Sequence, residues 1–163
     1  QDTDPAAPDQ QLSVMSLFRK KELFTEAQKE RLLQAVREAE KLTSGEIRLF
    51  VESHCAYVNP ADRAMEIFAS LKMEETKYRN GVLIYVALKD RQYAIYGYAG
   101  IHARVGNNFW LAAAKNLEGH FRDGRITEGL EHCIRAIALS LQQYFPYEEG
   151  DQNELPDDIV FGK

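Results

Sequence analysis

The stretch Val82-Leu83-Ile84-Tyr85-Val86-Ala87-Leu88 constrains this chain more than any other part of it. It is apolar at odd and even positions alike and far too short to span a membrane. A strand with one wet face alternates, whereas a strand apolar on both faces is covered on both. The chain must therefore supply helices for two sides of a sheet. Arg79-Asn80-Gly81 leads into the run and Lys89-Asp90-Arg91 breaks it. Gln92 to Tyr98 follows as another strand, so the two read as an antiparallel hairpin.

The flanking segments supply those helices. Thr25 and Gln28 form a capping box, and Leu32, Leu33, Val36, Ala39 and Leu42 then keep a helical period. Gly45 reads as a left-handed stop. Glu46 to Ser53 is a strand with Ile47, Leu49 and Val51 on one face and Glu46, Arg48 and Glu52 on the other. Asn59-Pro60 opens a second helix, with Ala64, Ile67, Phe68 and Leu71 as its stripe. A third is expected from Asn108 to Arg122, burying Trp110, Leu111, Leu117 and Phe121. A last helix, capped by Thr127, carries Leu130, Cys133, Ile134, Ile137, Leu141, Tyr144 and Phe145, and Pro146 stops it. The order is helix, strand, helix, strand, strand, helix, helix. The first two strands should be joined by a right-handed parallel crossover, with the third returning antiparallel. The fold class is α/β, a three-layer α/β/α sandwich around a small mixed sheet.

With 163 residues, 45% hydrophobic and 28% charged, the chain suits one globular domain. Residues 1–16 read as a disordered arm or cloning remnant, 17–147 as the domain, and 148–163 as an acidic tail. Met15 looks like a natural start, which implies a cytoplasmic protein; if Gln1 instead follows a removed signal, the protein is exported. A net charge of −5 argues against sequence-independent nucleic-acid binding, and no apolar run allows direct membrane insertion. Cys55 and Cys133 are no disulfide framework and read as buried, reduced thiols.

Several stretches together resemble the TPM-domain family. They are Phe24-Thr25 with the helix into Thr43-Ser44-Gly45-Glu46-Ile47, Arg79-Asn80-Gly81 with the apolar run, Asp90-Arg91, and Gly97-Tyr98-Ala99-Gly100-Ile101. Val105-Gly106 with Phe109-Trp110, His120-Phe121 with Gly124, Gly129-Leu130 and Asn153 to Ile159 complete the set. The resemblance covers roughly residues 17–160 and is closest to a short bacterial branch without signal peptide or membrane anchor. It implies an α/β/α sandwich and, in some members, binding of a divalent cation, chiefly calcium. Plant members are described as acid phosphatases in photosystem repair, an activity that fold alone does not transfer. The chain departs from the short branch at Gly97-Tyr98, where Gly-Asp is common; that removes a charged ligand.

On the expected topology three segments meet at one rim of the sheet: Gly45-Glu46, Arg79-Asn80-Gly81 and Gly97 to Gly100. Glu46 and Asn80 offer the hard oxygens that calcium or magnesium prefer. Gly97 and Gly100 let backbone approach a ligand, and Arg79 and Tyr98 complete the cleft. The plainer alternative is a set of turns beside a solvated strand end. At the opposite rim, Glu52, Ser53 and His54 end a strand near Asp90, which is either a further metal ligand or a polar turn residue. Asp123 and Glu128 suit a helix start. The adjacent pairs His54-Cys55 and His132-Cys133 lack the spacing of a zinc site. Tyr144-Phe145-Pro146-Tyr147 either docks a partner or folds back onto the core. Neither cysteine has an arginine six residues on, and no paired-aspartate, GxSxG or phosphate-loop motif is present. These residues point to a domain that binds a ligand or partner, with calcium or magnesium in the cleft and no organic cofactor. The alternative is a metal-dependent, acid-phosphatase-like hydrolase. The expected partner is a membrane or envelope protein.

Overall fold

In a computed structural model the structure describes residues 24–148 and 159–162. The 1–16 arm and most of the acidic tail lie outside them. The chain forms α1 (Glu26–Glu40), β1 (Glu46–Glu52), α2 (Pro60–Ser70), β2 (Gly81–Ala87), β3 (Gln92–Gly97), α3 (Ala99–Arg122), α4 (Ile126–Tyr144) and β4 (Ile159–Phe161). The sheet runs β3-β2-β1-β4. β1 is parallel to β2 and to β4, and β3 is antiparallel to β2.

Every residue of β2 is buried, as its two-faced apolar pattern requires. Val82, Ile84 and Val86 join Ile47, Leu49 and Val51 under α1, α3 and α4, which contribute Leu32, Val36, Leu117, Leu130 and Ile134. Leu83, Tyr85 and Ala87 face α2, where Ala64, Ile67 and Phe68 cover them. The result is the expected three-layer sandwich. Among the described residues no helix is long and apolar enough to cross a membrane.

The caps explain where the first helices begin. Thr25 and Gln28 make a reciprocal capping box. Asn59 accepts from the Ala61 N–H at 2.9 Å, with Pro60 at the first helical position.

Five expectations need correction. α1 ends at Glu40 through a right-handed Lys41, and Gly45 is not left-handed. The turn is closed instead by Thr43, whose hydroxyl donates to the Phe145 carbonyl while its oxygen accepts from the Gly45 N–H. α3 starts at Ala99, nine positions before Asn108. Gly100 sits in its first turn, and Gly106, at φ 74° and ψ 176°, is a kink between two helical stretches. Leu111 is exposed; the buried stripe passes through Leu117 and Phe121, and one residue beyond Trp110 turns ~100° away. Thr127 does not cap α4, which begins at Ile126, and it is buried in the first turn. β4, hidden directly after Asp157-Asp158, pairs Ile159 with Leu49 and Val160 with Phe50.

Candidate functional site

At the amino-end rim of the parallel strands, β1 and β2 pair Glu46 with Gly81, and β2 and β3 pair Val82 with Gly97. The Tyr98 N–H donates to the Gly81 carbonyl at 2.9 Å, and the Gly100 N–H to the Arg79 carbonyl at 2.8 Å. The three expected segments do converge. Their convergence is nonetheless an internal joint. A Cβ on Gly100 would lie 2.3 Å from the Tyr78 carbonyl oxygen and 2.4 Å from that of Arg79. One on Gly97 would lie 2.2 Å from the Trp110 ring. These glycines make room for the protein's own backbone and indole.

Strand alternation then divides the expected cleft. Glu46 lies one residue before Ile47, so it shares the α2 face with Arg48 and Gly81. Asn80 lies two before Val82, on the opposite face. Gly45, its partner in the extended register, follows suit, since a Cβ there would meet Leu141 of α4 at 3.1 Å. Tyr98 packs against Phe68 of α2, ring centroids 5.2 Å apart. Glu46 and Tyr98 therefore belong to one side and Asn80 and Gly97 to the other.

Glu46 is buried, 5% exposed, and not the solvated strand end that one alternative required. Asn80 is fully buried, and among the described residues neither its Oδ1 nor its Nδ2 has a hydrogen-bond partner. Arg79 has left-handed backbone, φ 55°, that carries its exposed side chain over the Tyr98 ring. Its Cζ sits 4.9 Å from the ring centroid and its Nη2 donates to the Tyr98 hydroxyl at 3.1 Å.

The opposite rim is a closed polar network. Glu52 is buried and accepts two hydrogen bonds from Arg63, both 2.9 Å, and one from the Tyr85 hydroxyl at 2.5 Å. Arg63 also reaches Glu66 at 2.6 Å. The paired carboxylate of Glu52 raises the Arg63 pKa. Burial, then Glu52 and Cys55, raise that of Tyr85. Tyr57 and Arg63 hold the Glu66 carboxyl below its ordinary range. Asp90 bonds to His54 Nδ1 at 2.9 Å and accepts from the Cys55 N–H at 2.7 Å, and both depress its pKa. Arg91, its chain neighbour, turns away to the Phe121 carbonyl. Arg63 and Tyr85 were missed in the sequence, although a tyrosine inside a fully buried strand requires a polar partner for its hydroxyl.

The residues named as metal ligands do not fit a calcium cage. Calcium takes six to eight oxygens. Glu46 and Asn80 face opposite sides, and Asp90 lies beyond the far end of β2, roughly 20 Å away at ~3.3 Å per residue. Among the described residues no three His, Cys, Asp or Glu side chains gather where they could hold an ion. Cys133 is a buried thiol pushed up to about 12 by desolvation, whereas Cys55 is half-exposed, contrary to expectation. Phe145 packs back onto the core and Pro146 bridges to Thr43, which leaves Tyr147 as the exposed aromatic of that segment.

Comparison with known proteins bears on the fold these rims belong to. A family model described as the TPM domain matches residues 17–139. The NMR structure of the BA42 protein from the psychrophilic bacterium Bizionia argentinensis is similar at 40% identity with a TM-score of 0.79, over 85% of this chain and 95% of that one. The N-terminal domain of a P. gingivalis protein shares the fold alone, at 19% identity and a TM-score of 0.57, over 76% of this chain and 79% of that one. No curated protein matches. A sandwich of this topology, matched by the family model over most of its length, places the chain in the TPM-domain family.

Proposed function

We propose that this TPM domain acts by binding, not by catalysis, and that its ligand is a small polar molecule that spans the amino-end rim, from Asn80 on one face to Arg79 and Tyr98 on the other. The observation that supports this reading is the Asn80 amide, fully buried with both polar atoms unpaired among the described residues. Such a group costs about 1–3 kcal/mol while it stays unsatisfied. A ligand that brings one donor and one acceptor removes that cost. Arg79 adds a positive charge that meets the Tyr98 phenol and, among the described residues, no carboxylate. An amide and an unneutralised guanidinium at one rim suit a ligand with both amide and carboxylate groups.

Calcium or magnesium would need several more oxygens than the buried Glu46 carboxylate offers at this rim, so weak binding at most is expected. The hydrolase alternative asks for a nucleophile beside a base or for a filled carboxylate cluster. Cys133, deep in the core with its pKa pushed up to about 12, does not serve as a nucleophile. A membrane or envelope protein is the proposed source of the ligand group.

The test is NMR titration of the labelled chain with N-acetylglycine and, separately, with calcium chloride, followed by turnover of p-nitrophenyl phosphate. Shifts of the Asn80 side-chain NH₂ with N-acetylglycine, a weak response to calcium and no turnover are expected. Turnover abolished by Glu46→Gln would establish the hydrolase instead.

A further inference from the structure

The outer edge of β3 is open. In an antiparallel pair, residues that exchange hydrogen bonds alternate with residues that point their N–H and C=O away. The Tyr98 N–H bonds the Gly81 carbonyl, and the register continues as Tyr96 with Leu83, Ala94 with Tyr85 and Gln92 with Ala87. Tyr93, Ile95 and Gly97 therefore direct their peptide groups outward. Among the described residues none of those groups is hydrogen-bonded. β3 is the terminal strand of the sheet on that side.

Proteins usually protect such an edge with a lysine, a proline, a bulge or a covering element. β3 reads Gln-Tyr-Ala-Ile-Tyr-Gly, with no charge and no proline, and its register is unbroken. Beside it lies a cavity of about 370 Å³. Ile95 and Gly97 line it from one face of β3, Tyr96 and Tyr98 from the other, and His102 and Trp110 wall it from α3. Lining from both faces puts the cavity at the strand's margin and not above the sheet. The Trp110 Nε1–H donates to His102 Nδ1 at 3.0 Å, which fixes the indole wall. Arg79 lies over Tyr98 at one end of this groove without a carboxylate among the described residues.

We infer that the outer edge of β3 accepts an extended segment of a partner protein as an added strand, with one apolar side chain in the cavity against Trp110 and an acidic group toward Arg79. The occupant is read from its complement. Three outward peptide groups two residues apart match only another extended backbone. The apolar cavity beside Gly97 takes an alternate side chain of that strand, and the guanidinium selects an acid. This surface shares Arg79 and Tyr98 with the site proposed above but not the Asn80 amide, which does not line the cavity.

The experiment starts with hydrogen exchange of the free chain. The amides of Tyr93, Ile95 and Gly97 should exchange rapidly while those of Ala94 and Tyr96 are protected. Displayed random heptapeptides are then selected on the intact chain, and one enriched peptide is titrated. Enrichment of alternating apolar sequences with an acidic end, and at least about tenfold slower exchange at Tyr93, Ile95 and Gly97 on binding, support the proposal. Arg79→Glu should weaken binding of the acidic peptide at least about tenfold, and Arg135→Glu, an exposed charge reversal away from the groove, should leave it unchanged. Ile95→Pro, which removes an outward N–H and spares the β2 ladder, should abolish it. The proposal is overturned by failure to enrich any peptide, by protection at other amides, or by the three amides being protected in the free chain. Protection that grows with protein concentration alone would assign the edge to a second copy and also overturn it.

Discussion

The two rims of the sheet differ in how completely their polar groups are used. At the carboxyl-end rim, Glu52 is held by Arg63 and Tyr85, Arg63 also by Glu66, and Asp90 by His54 and the Cys55 N–H. At the amino-end rim a fully buried amide has no partner among the described residues and an arginine faces a phenol. Open α/β sheets usually bind ligands beyond the carboxyl ends of their strands. Here that end is bolted shut, and the unsatisfied capacity lies at the other. A polar group saturated by its neighbours holds the fold together, and one left unsatisfied costs it stability.

Breaking the saturated rim should have the largest effect. Arg63→Met strands the Glu52 carboxylate, buried beside Tyr85, without its cation. Removing one partner of a buried pair costs about 3–5 kcal/mol, read as a lower urea midpoint. Glu52→Gln added to Arg63→Met should recover part of the loss, because the stranded charge goes with it. A loss under ~1 kcal/mol would mean that the pair behaves as a surface salt bridge, and the contrast between the rims would collapse.

The joint at the amino-end rim ranks next. Gly100→Ala drives a methyl into two backbone carbonyls that no rotamer change can move. Overpacking of this kind costs about 1–3 kcal/mol. Gly119, in the same helix, has open space around its virtual Cβ. Gly119→Ala should therefore stabilise by roughly 0.5–1 kcal/mol through helix propensity. Opposite signs in thermal denaturation would show that Gly100 serves the close approach of the turn before β2.

Asn80→Leu, close in shape, should raise stability by about 1 kcal/mol, since it removes two unsatisfied atoms, and should abolish the response to N-acetylglycine. A loss of stability instead would mean that the amide is bonded through water, and the rim would then be as saturated as its opposite.

The layers were legible in the sequence because they rest on local signals. Val82 to Ala87 had to be covered on both faces, the period through Ile47, Leu49 and Val51 marked one side of β1, and Thr25 and Asn59 announced their helices. The division of the cleft was also countable. Glu46 precedes Ile47 by one and Asn80 precedes Val82 by two, so parallel pairing puts them on opposite faces. The roles of Gly97 and Gly100 could not be read locally, because each answers to atoms brought in by tertiary packing, the Trp110 ring and the Tyr78 and Arg79 carbonyls. Tyr85 advertised a need for a partner without naming Glu52. β4, three residues long after two aspartates, has no period to detect.

The smallest effect should come from the margin of the saturated rim, where Asp90 ties the hairpin turn to the segment after β1. The His54 ring and then the Cys55 N–H favour its ionised form and depress its pKa in the folded state. The unfolded chain, with an aspartate near the ordinary ~3.9, then takes up the proton more readily. The contribution of Asp90 is thus fully present above that value and fades as pH falls through the lower folded value. Asp90→Asn removes the charge and leaves an acceptor for the same N–H. Wild type should exceed the variant in urea midpoint at pH 6, and the gap should narrow by pH 3. A gap that stays constant across this range would show that the carboxylate charge does not contribute, and that the turn is held by acceptor geometry alone.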